Sequence, residues 1–152
     1  MIIKGMQKVT LLDYPGRVAC TLFTGGCNFR CPFCQNSELV LCPGEVDTIP
    51  NEEVFSYIEK RKRMLDGVCI TGGEPTLQEG LTEFIGRIKA IGLLVKLDTN
   101  GYEPDRLAEL IERGLVDYIA MDIKSSPEGY SKASGIEGVE LSKIERSIDL
   151  IS

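Results

Sequence analysis

The hydrophobic positions of this chain predict short strands that alternate with amphipathic helices. Four runs are nearly continuous in apolar residues, as is typical of strands in a covered parallel sheet: 18–23, 68–71, 93–98 and 118–122. Between these runs, apolar side chains recur at three- and four-residue steps, which predicts helices over 51–65, 81–91 and around 107–111. Asn51 is a candidate N-cap of the first helix, and Gly92 is a candidate end of the second.

The order of these elements predicts the fold class. Strands that alternate with helices imply right-handed crossovers, and therefore an α/β fold with a parallel sheet or a partial parallel (β/α) barrel of about four strand–helix units. Residues 139–152 also have helical spacing, so the sequence ends on a crossover helix that no strand follows. No repeat, linker or low-complexity segment is present, and we expect one domain over residues 1–152.

Composition excludes several kinds of chemistry. The 152 residues include no histidine, so catalytic triads, imidazole zinc ligands and histidine proton transfer are excluded. The formal net charge is −6, and this acidic balance argues against nucleic acid as a partner.

The cysteines favour metal binding over disulfides. The N-terminus lacks the apolar run of a signal peptide, and no stretch is long and apolar enough to span a bilayer, so we expect a cytoplasmic protein without a membrane partner. Thiols stay reduced in that compartment. Of the 6 cysteines, Cys20 and Cys69 lie in strand runs and are expected to be small buried apolar residues, whereas Cys42 is either spare or part of a second redox function.

The unusual polar residues follow the predicted strands. Ligands of such folds bind where the carboxyl ends of the strands meet their loops. The four loops in question are 27–34, 72–75, 98–101 and 122–124. We therefore expect these loops to form one site.

Cys27, Cys31 and Cys34 form a CxxxCxxC arrangement that can converge on one metal centre. Structural zinc requires four ligands, and the spacing to Cys42 fits no ordinary zinc ribbon. A ferredoxin-type cluster likewise requires four cysteines. Three cysteines would leave one iron of a [4Fe-4S] cluster open to a substrate, which is the arrangement we predict, with zinc as the alternative.

The triplet, with the aromatic Phe33 before its last cysteine, resembles the signature of the radical S-adenosylmethionine (SAM) enzymes. In that family the unique iron is chelated by the amino and carboxylate groups of the methionine part of SAM. The segment Gly72-Gly73-Glu74-Pro75 is similar to the family motif that holds the methionyl amino group. Two glycines allow close backbone approach and a carboxylate suits an ammonium, although the segment taken alone would be an ordinary turn.

The resemblance is closest to the activating enzymes of glycyl radical enzymes, and within them to the activating proteins of anaerobic ribonucleoside-triphosphate reductase. It is carried by five blocks in order: 8–16, 23–28, 71–78, 96–101 and 117–124. That branch continues through about two more strands, so the resemblance implies that the C-terminal strands of the partial barrel are missing from these 152 residues, as in a truncated or unusually short member.

The resemblance also implies roles for polar residues after the later strands. Residues of the third and fourth loops fall where related enzymes place ribose contacts or a small monovalent cation beside the cofactor: Asp98, Thr99 and Asp122. Asn100 is expected as a further cofactor-binding residue. Lys124 falls where a lysine meets the carboxylate of the cofactor, and Asp13 where the glycine backbone of the partner is contacted. The structural alternatives are a surface pair of Asp122 with Lys124, an Asx turn at 98–100 and turn chemistry at Asp13.

The function implied by the resemblance is activation of a partner enzyme. Flavodoxin or ferredoxin reduces the cluster, SAM is cleaved to a 5′-deoxyadenosyl radical, and that radical takes a hydrogen from a glycine of the partner, in particular anaerobic ribonucleoside-triphosphate reductase. One alternative is a radical SAM enzyme of small molecules similar to 7-carboxy-7-deazaguanine synthase, against which the block Asp13-Tyr14-Pro15-Gly16 argues. The other is a non-catalytic iron–sulfur or metal-binding module.

Overall fold

A computed structural model describes all 152 residues. The chain forms a five-stranded sheet, and three of its six helices form the core on one face of that sheet. The strands are β1 (Ile3–Thr10), β2 (Ala19–Thr24), β3 (Gly67–Gly72), β4 (Leu94–Thr99) and β5 (Tyr118–Met121). The helices are α1 (Ser37–Leu41), α2 (Asn51–Arg61), α3 (Leu81–Ile91), α4 (Pro104–Glu112), α5 (Tyr130–Ser134) and α6 (Leu141–Ile151).

The strands lie in the order β1-β2-β3-β4-β5, and all neighbours are parallel except β1 and β2. The four predicted strands are confirmed within one or two residues at each end. The sequence did not predict β1, which pairs antiparallel with β2 at the edge of the sheet. Its middle residues are half-buried or exposed, so it lacks the apolar run by which the other strands are recognised.

The two faces of the sheet have different roles. Leu22, Ile70 and Leu97 point to the face covered by α2, α3 and α4, where 18 buried residues form the core. The opposite face carries Cys69 and Lys96, and the helices do not cover it. The apolar runs predicted strands covered on both faces, whereas these strands are covered by helices on one.

All four predicted helices are present, with different ends, and the short helices α1 and α5 were not predicted. Helix α3 ends at Gly92 as predicted, with a φ of 94° that favours glycine. Helix α2 ends at Arg61, before the predicted residue 65, and its N-cap is Pro50. The prediction of Asn51 as N-cap is wrong, because Asn51 is the first helical residue. The longest helices have 11 residues, so none has the length or apolar content required to cross a membrane.

Helix α6 packs against α4 and reaches two loops at the carboxyl edge of the sheet. Its Ile144 is buried with Phe29 and Tyr130, next to the cysteine triplet. The fully buried Ser147 donates a 2.6 Å hydrogen bond to the carbonyl of Gly101 in the loop after β4. The predicted crossover helix therefore packs against two of the loops that form the candidate site.

Substitution of Ser147 by alanine is expected to destabilise the protein. The change leaves the buried Gly101 carbonyl without its donor, which lowers the free energy of unfolding by about 1–3 kcal/mol. Urea unfolding measures the effect, and Ser152→Ala is the matched control, because the Ser152 hydroxyl bonds within an exposed helix end. Equal stability of the two variants would contradict the packing role of Ser147.

Candidate active site

A cavity of about 520 Å³ lies where the carboxyl ends of β2, β3, β4 and β5 meet their loops. Its volume falls in the range of about 300–1,000 Å³ that is common for ligand pockets. Most of the predicted site residues line it: Cys27, Cys31, Phe33, Cys34, Gly72, Gly73, Glu74, Asp98, Thr99, Asn100, Asp122 and Lys124. The structure thus brings the four predicted loops together, while Pro75 and Asp13 lie outside the cavity lining.

The cysteine loop has no regular secondary structure between 27 and 34 and is held by one buried aromatic side chain. Phe29 is 1% exposed and packs against Tyr102, with ring centroids 5.2 Å apart, and against Tyr130 at 6.4 Å. The backbone amide of Arg30 donates to the carbonyl of Ser134 at 2.7 Å. These contacts fix the backbone from which the three thiols project.

The thiols of the triplet are partly buried. Burial raises the pKa of Cys27 and of Cys31. The backbone amide of Phe29, 3.3 Å from the Cys27 Sγ, and the charge of Lys124 near Cys31 act in the opposite direction. Metal ligation requires thiolates, which an amide donor and an ammonium both stabilise.

The donor set, three thiols on one cavity in a chain without histidine, fits a three-cysteine iron–sulfur cluster. Nowhere in the chain do three acidic or thiol side chains converge closely enough to hold a single metal ion. A [4Fe-4S] cluster places each cysteine on a different iron, so its ligands are more widely spaced than those around one zinc ion. Cys42 is exposed and does not line the cavity, and Cys20 and Cys69 are fully buried as predicted.

Gly72 and Gly73 are required by packing against the chain that leads to Cys27. A Cβ atom on Gly72, whose φ is 115°, would lie 2.3 Å from the amide nitrogen of Thr24. A Cβ atom on Gly73 would lie 1.9 Å from the carbonyl oxygen of Gly26. These close approaches are between two backbone segments; both glycines also line the cavity, and close approach of a ligand to them stays a prediction. Those segments are also joined by hydrogen bonds from Gly73 to Thr24 and from Glu74 to Gly26.

The carboxylate of Glu74 is buried and bonded to donors of this chain. It is 1% exposed and accepts hydrogen bonds from both the amide and the hydroxyl of Thr76, from the Thr99 hydroxyl at 2.8 Å and from the Asn100 amide at 2.7 Å. Burial raises its pKa, and these hydrogen bonds oppose the rise. The carboxylate therefore joins the loop after β3 to the loop after β4, and its contact with an ammonium stays a prediction.

Asn100 extends this connection to the cysteine loop. Its side-chain amide donates to the Asn28 Oδ1 at 2.7 Å and to the Cys27 Sγ at 3.8 Å, while its Oδ1 accepts from the Tyr102 amide at 3.0 Å. The last contact is an Asx turn. Asn28 was not identified from the sequence as a site residue, although it follows a metal-binding candidate directly.

Two lysine–aspartate pairs lie on the cavity wall. Lys124 Nζ is 2.8 Å from the Asp122 Oδ2, so the pairing considered as an alternative is present, within the cavity lining. Lys96 Nζ contacts the Asp98 Oδ1, and the Lys96 side chain is 8% exposed. Lys96 was not predicted as a site residue. Its two-residue spacing from Asp98 on a strand was the available signal, since such residues share a face.

The remaining predicted residues have structural contacts. The Asp13 Oδ2 accepts a 2.6 Å hydrogen bond from the Thr21 hydroxyl on β2. Pro75 is buried and begins a short 3₁₀ turn directly after Glu74. Neither contact tests the role of Asp13 towards a partner or of Pro75 towards a cofactor.

The glycine packing predicts opposite effects for two alanine substitutions. Gly73→Ala forces Cβ into the Gly26 carbonyl and is expected to displace the loop before Cys27, with lower stability and lower iron content after reconstitution. Gly86→Ala adds a Cβ that meets no atom within 4 Å in α3, and it should stabilise the protein by about 0.5–1 kcal/mol. Chemical unfolding and iron analysis compare the two variants. A Gly73→Ala protein with wild-type stability and iron would refute the packing argument.

Glu74 predicts a pH dependence of stability. Because its pKa is raised in the folded state, the folded protein holds the proton more tightly, so the contribution of Glu74 is largest at low pH and is lost as pH rises through the folded pKa. The free energy of unfolding of wild type minus that of Glu74→Gln is therefore expected to fall as pH rises above the ordinary pKa range of a carboxyl group. Urea unfolding of the cluster-free protein measures it, with the exposed Glu45→Gln as control. Parallel pH profiles for wild type and Glu74→Gln would argue against it.

Comparison with known proteins places this site in a family. The sequence profile of the Radical SAM superfamily matches residues 21–152. A protein of Methanocaldococcus jannaschii, provisionally named as a glycyl-radical enzyme activating enzyme, is 36% identical over 98% of this chain and 62% of its own length. The pyruvate formate-lyase-activating enzyme of Listeria monocytogenes is 32% identical over 86% of this chain and 56% of its own. A probable GTP 3′,8-cyclase of Thermococcus kodakarensis is 31% identical over 93% and 48%.

Solved structures agree with the fold. QueE from Escherichia coli superposes with a TM-score of 0.64 at 19% identity, over 95% of this chain and 66% of QueE. The present chain spans about three fifths or less of the length of the curated relatives given above. Because the profile match extends over most of its residues, the chain belongs to the radical SAM superfamily, whose members use a [4Fe-4S] cluster and S-adenosylmethionine.

Proposed function

We propose that this chain binds SAM at a three-cysteine cluster and abstracts hydrogen from a glycine of a partner glycyl radical enzyme, specifically anaerobic ribonucleoside-triphosphate reductase. The observation that carries the proposal is the single cavity in which the triplet, the Gly-Gly-Glu loop and two lysine–aspartate pairs meet. The names of the activating-enzyme relatives support a glycyl radical enzyme as the partner. The choice of the reductase depends on the sequence blocks alone.

The residues of this chain bind and position the reactants. When bound, the cluster and SAM supply reductive cleavage of the cofactor to a 5′-deoxyadenosyl radical. Cys27, Cys31 and Cys34 hold the cluster, and the Lys124 ammonium is suited to the carboxylate of SAM as a point charge. Glu74 holds the loop that bonds to Cys27. The chain supplies orientation and protection from water, and the site needs no general base.

The surface beside Asp13 supports docking of a partner. Leu11 is 70% exposed and Leu12 is 89% exposed, next to the Asp13–Thr21 hydrogen bond. Adjacent exposed apolar side chains are a common feature of protein interaction sites. Phe33, between Cys31 and Cys34, is 60% exposed, which leaves the cluster loop accessible to an electron donor such as flavodoxin or ferredoxin.

A small-molecule substrate is the second candidate. The GTP 3′,8-cyclase relative matches 93% of this chain at nearly the same identity as the pyruvate formate-lyase-activating enzyme. Its name indicates that related chains act on a nucleotide. The two candidates differ in the product, since only activation leaves a radical on a protein glycine.

Replacement of single cysteines tests the SAM chemistry directly. Anaerobically reconstituted protein should be brown, bleach with dithionite and form 5′-deoxyadenosine from SAM. Cys27→Ala removes a thiol at the cavity and is expected to lose the colour and at least about 100-fold of the product rate, because a missing ligand leaves an iron unbound. Cys42→Ala, at an exposed thiol outside the cavity, should match wild type.

The outcomes separate the candidates. A colourless, zinc-loaded protein without 5′-deoxyadenosine would leave only a metal-binding module. If 5′-deoxyadenosine forms, the reduced protein is mixed with anaerobic ribonucleoside-triphosphate reductase and examined by electron paramagnetic resonance. A glycyl radical signal on the reductase supports the proposal. Product formation without that signal, together with turnover of a nucleotide substrate, would favour the second candidate.

A further inference from the structure

Both carboxylates that the family resemblance associates with a small monovalent cation are already paired with lysine. The Asp98 Oδ1 contacts the Lys96 ammonium, and the Asp122 Oδ2 lies 2.8 Å from the Lys124 ammonium. The lysine side chains are 8% and 17% exposed, so each charge is held largely within the protein. An added cation at either carboxylate would meet an existing positive charge.

The Thr99 oxygens between these carboxylates are also engaged. The hydroxyl donates to Glu74 at 2.8 Å and accepts from the Gly101 amide at 3.1 Å. The carbonyl accepts from the Asp122 amide at 2.9 Å. Alkali cations need several free oxygen ligands, as hard cations do in general. Because an ammonium already contacts one oxygen of each carboxylate, this donor set fits a built-in ammonium better than an added alkali cation.

Apart from Asp98, the Lys96 ammonium has few groups that can stabilise its charge. It lies on the face of β4 that the helices leave uncovered, with its ammonium 6.0 Å from the centre of the Tyr118 ring. Buried lysines are stable when paired, and the one salt-bridge partner of Lys96 is Asp98. Only the Oδ1 of Asp98 is used in this pair, and the Asp98 side chain remains 32% exposed at the cavity. The second oxygen is thus available to a ligand hydroxyl.

We propose that the Lys96 ammonium supplies the positive charge at Asp98 that the resemblance assigns to a monovalent cation, so that this SAM site works without one. The inference rests on the proposed function, because it concerns the same cavity. Lys96 is then a positioning residue. It neutralises the Asp98 carboxylate and fixes its orientation, while the free oxygen accepts a ribose hydroxyl of SAM.

The first test compares the wild-type, cluster-containing protein in potassium, sodium and choline chloride at one ionic strength of about 0.15 M. Choline is too large to enter a site made for an alkali cation. The dissociation constant of SAM, from equilibrium dialysis, and the melting temperature are expected to be the same in all three salts. A SAM affinity about fivefold or more weaker in choline, or a potassium-specific rise in melting temperature, would overturn the proposal.

The second test removes the charge. Lys96→Met keeps an unbranched apolar side chain but leaves Asp98 unpaired, so SAM should bind about tenfold more weakly in choline and recover in potassium or sodium chloride. Such rescue is not expected from a merely structural loss. Lys89→Met is the matched control, because it removes a half-buried lysine from Asp117 outside the cavity. It should bind SAM equally in all salts.

Failure of this inference is distinguishable from failure of the proposed function. A protein that binds no SAM in any salt contradicts the proposed function, and its melting temperature still reports whether an alkali cation binds. Lys96→Met protein with wild-type SAM affinity in choline would contradict the role of Lys96. If Lys96→Met does not fold in any salt, the wild-type salt comparison decides.

Discussion

The buried carboxylate of Glu74 is the contact on which the arrangement of the site depends. A carboxylate this deeply buried requires several donors, and it finds them in the loops after β3 and β4. Through Asn100 the same network reaches the Sγ of Cys27. Three loops far apart in sequence are thus fixed relative to one another before any ligand is bound. Preorganisation of this kind lowers the cost of binding a cluster and a cofactor.

The two faces of the sheet carry different kinds of residues. One face carries the core that α2, α3 and α4 cover, and the other carries polar side chains such as Thr21 and Lys96, of which Lys96 lines the cavity. Helix α6 connects the two, because it packs on α4 and also buries Ile144 against Phe29 of the cysteine loop. Packing of the helical layer therefore helps to fix the cysteine loop and its thiols.

The sequence predicted the parallel strands and the cavity residues well, because apolar runs and clustered motifs are local signals. It missed β1, whose middle residues are half-buried or exposed at the sheet edge, and it misplaced the start of α2, where Asn51 lies inside the helix. It did not show the contact of Gly73 with Gly26, because that contact joins segments that only the fold brings together. Lys96 was not predicted as a site residue for the same reason, because its burial with Asp98 depends on the neighbouring strands.

If the cavity holds a four-iron cluster on three cysteines, one iron of that cluster is open to SAM. Mössbauer spectroscopy of protein reconstituted with ⁵⁷Fe, recorded with and without SAM, distinguishes this iron from the others. SAM is expected to change the isomer shift of one iron in four and to leave the other three unaltered. A spectrum in which all four irons are unaffected by SAM, or iron that does not assemble into a four-iron cluster, would contradict this expectation.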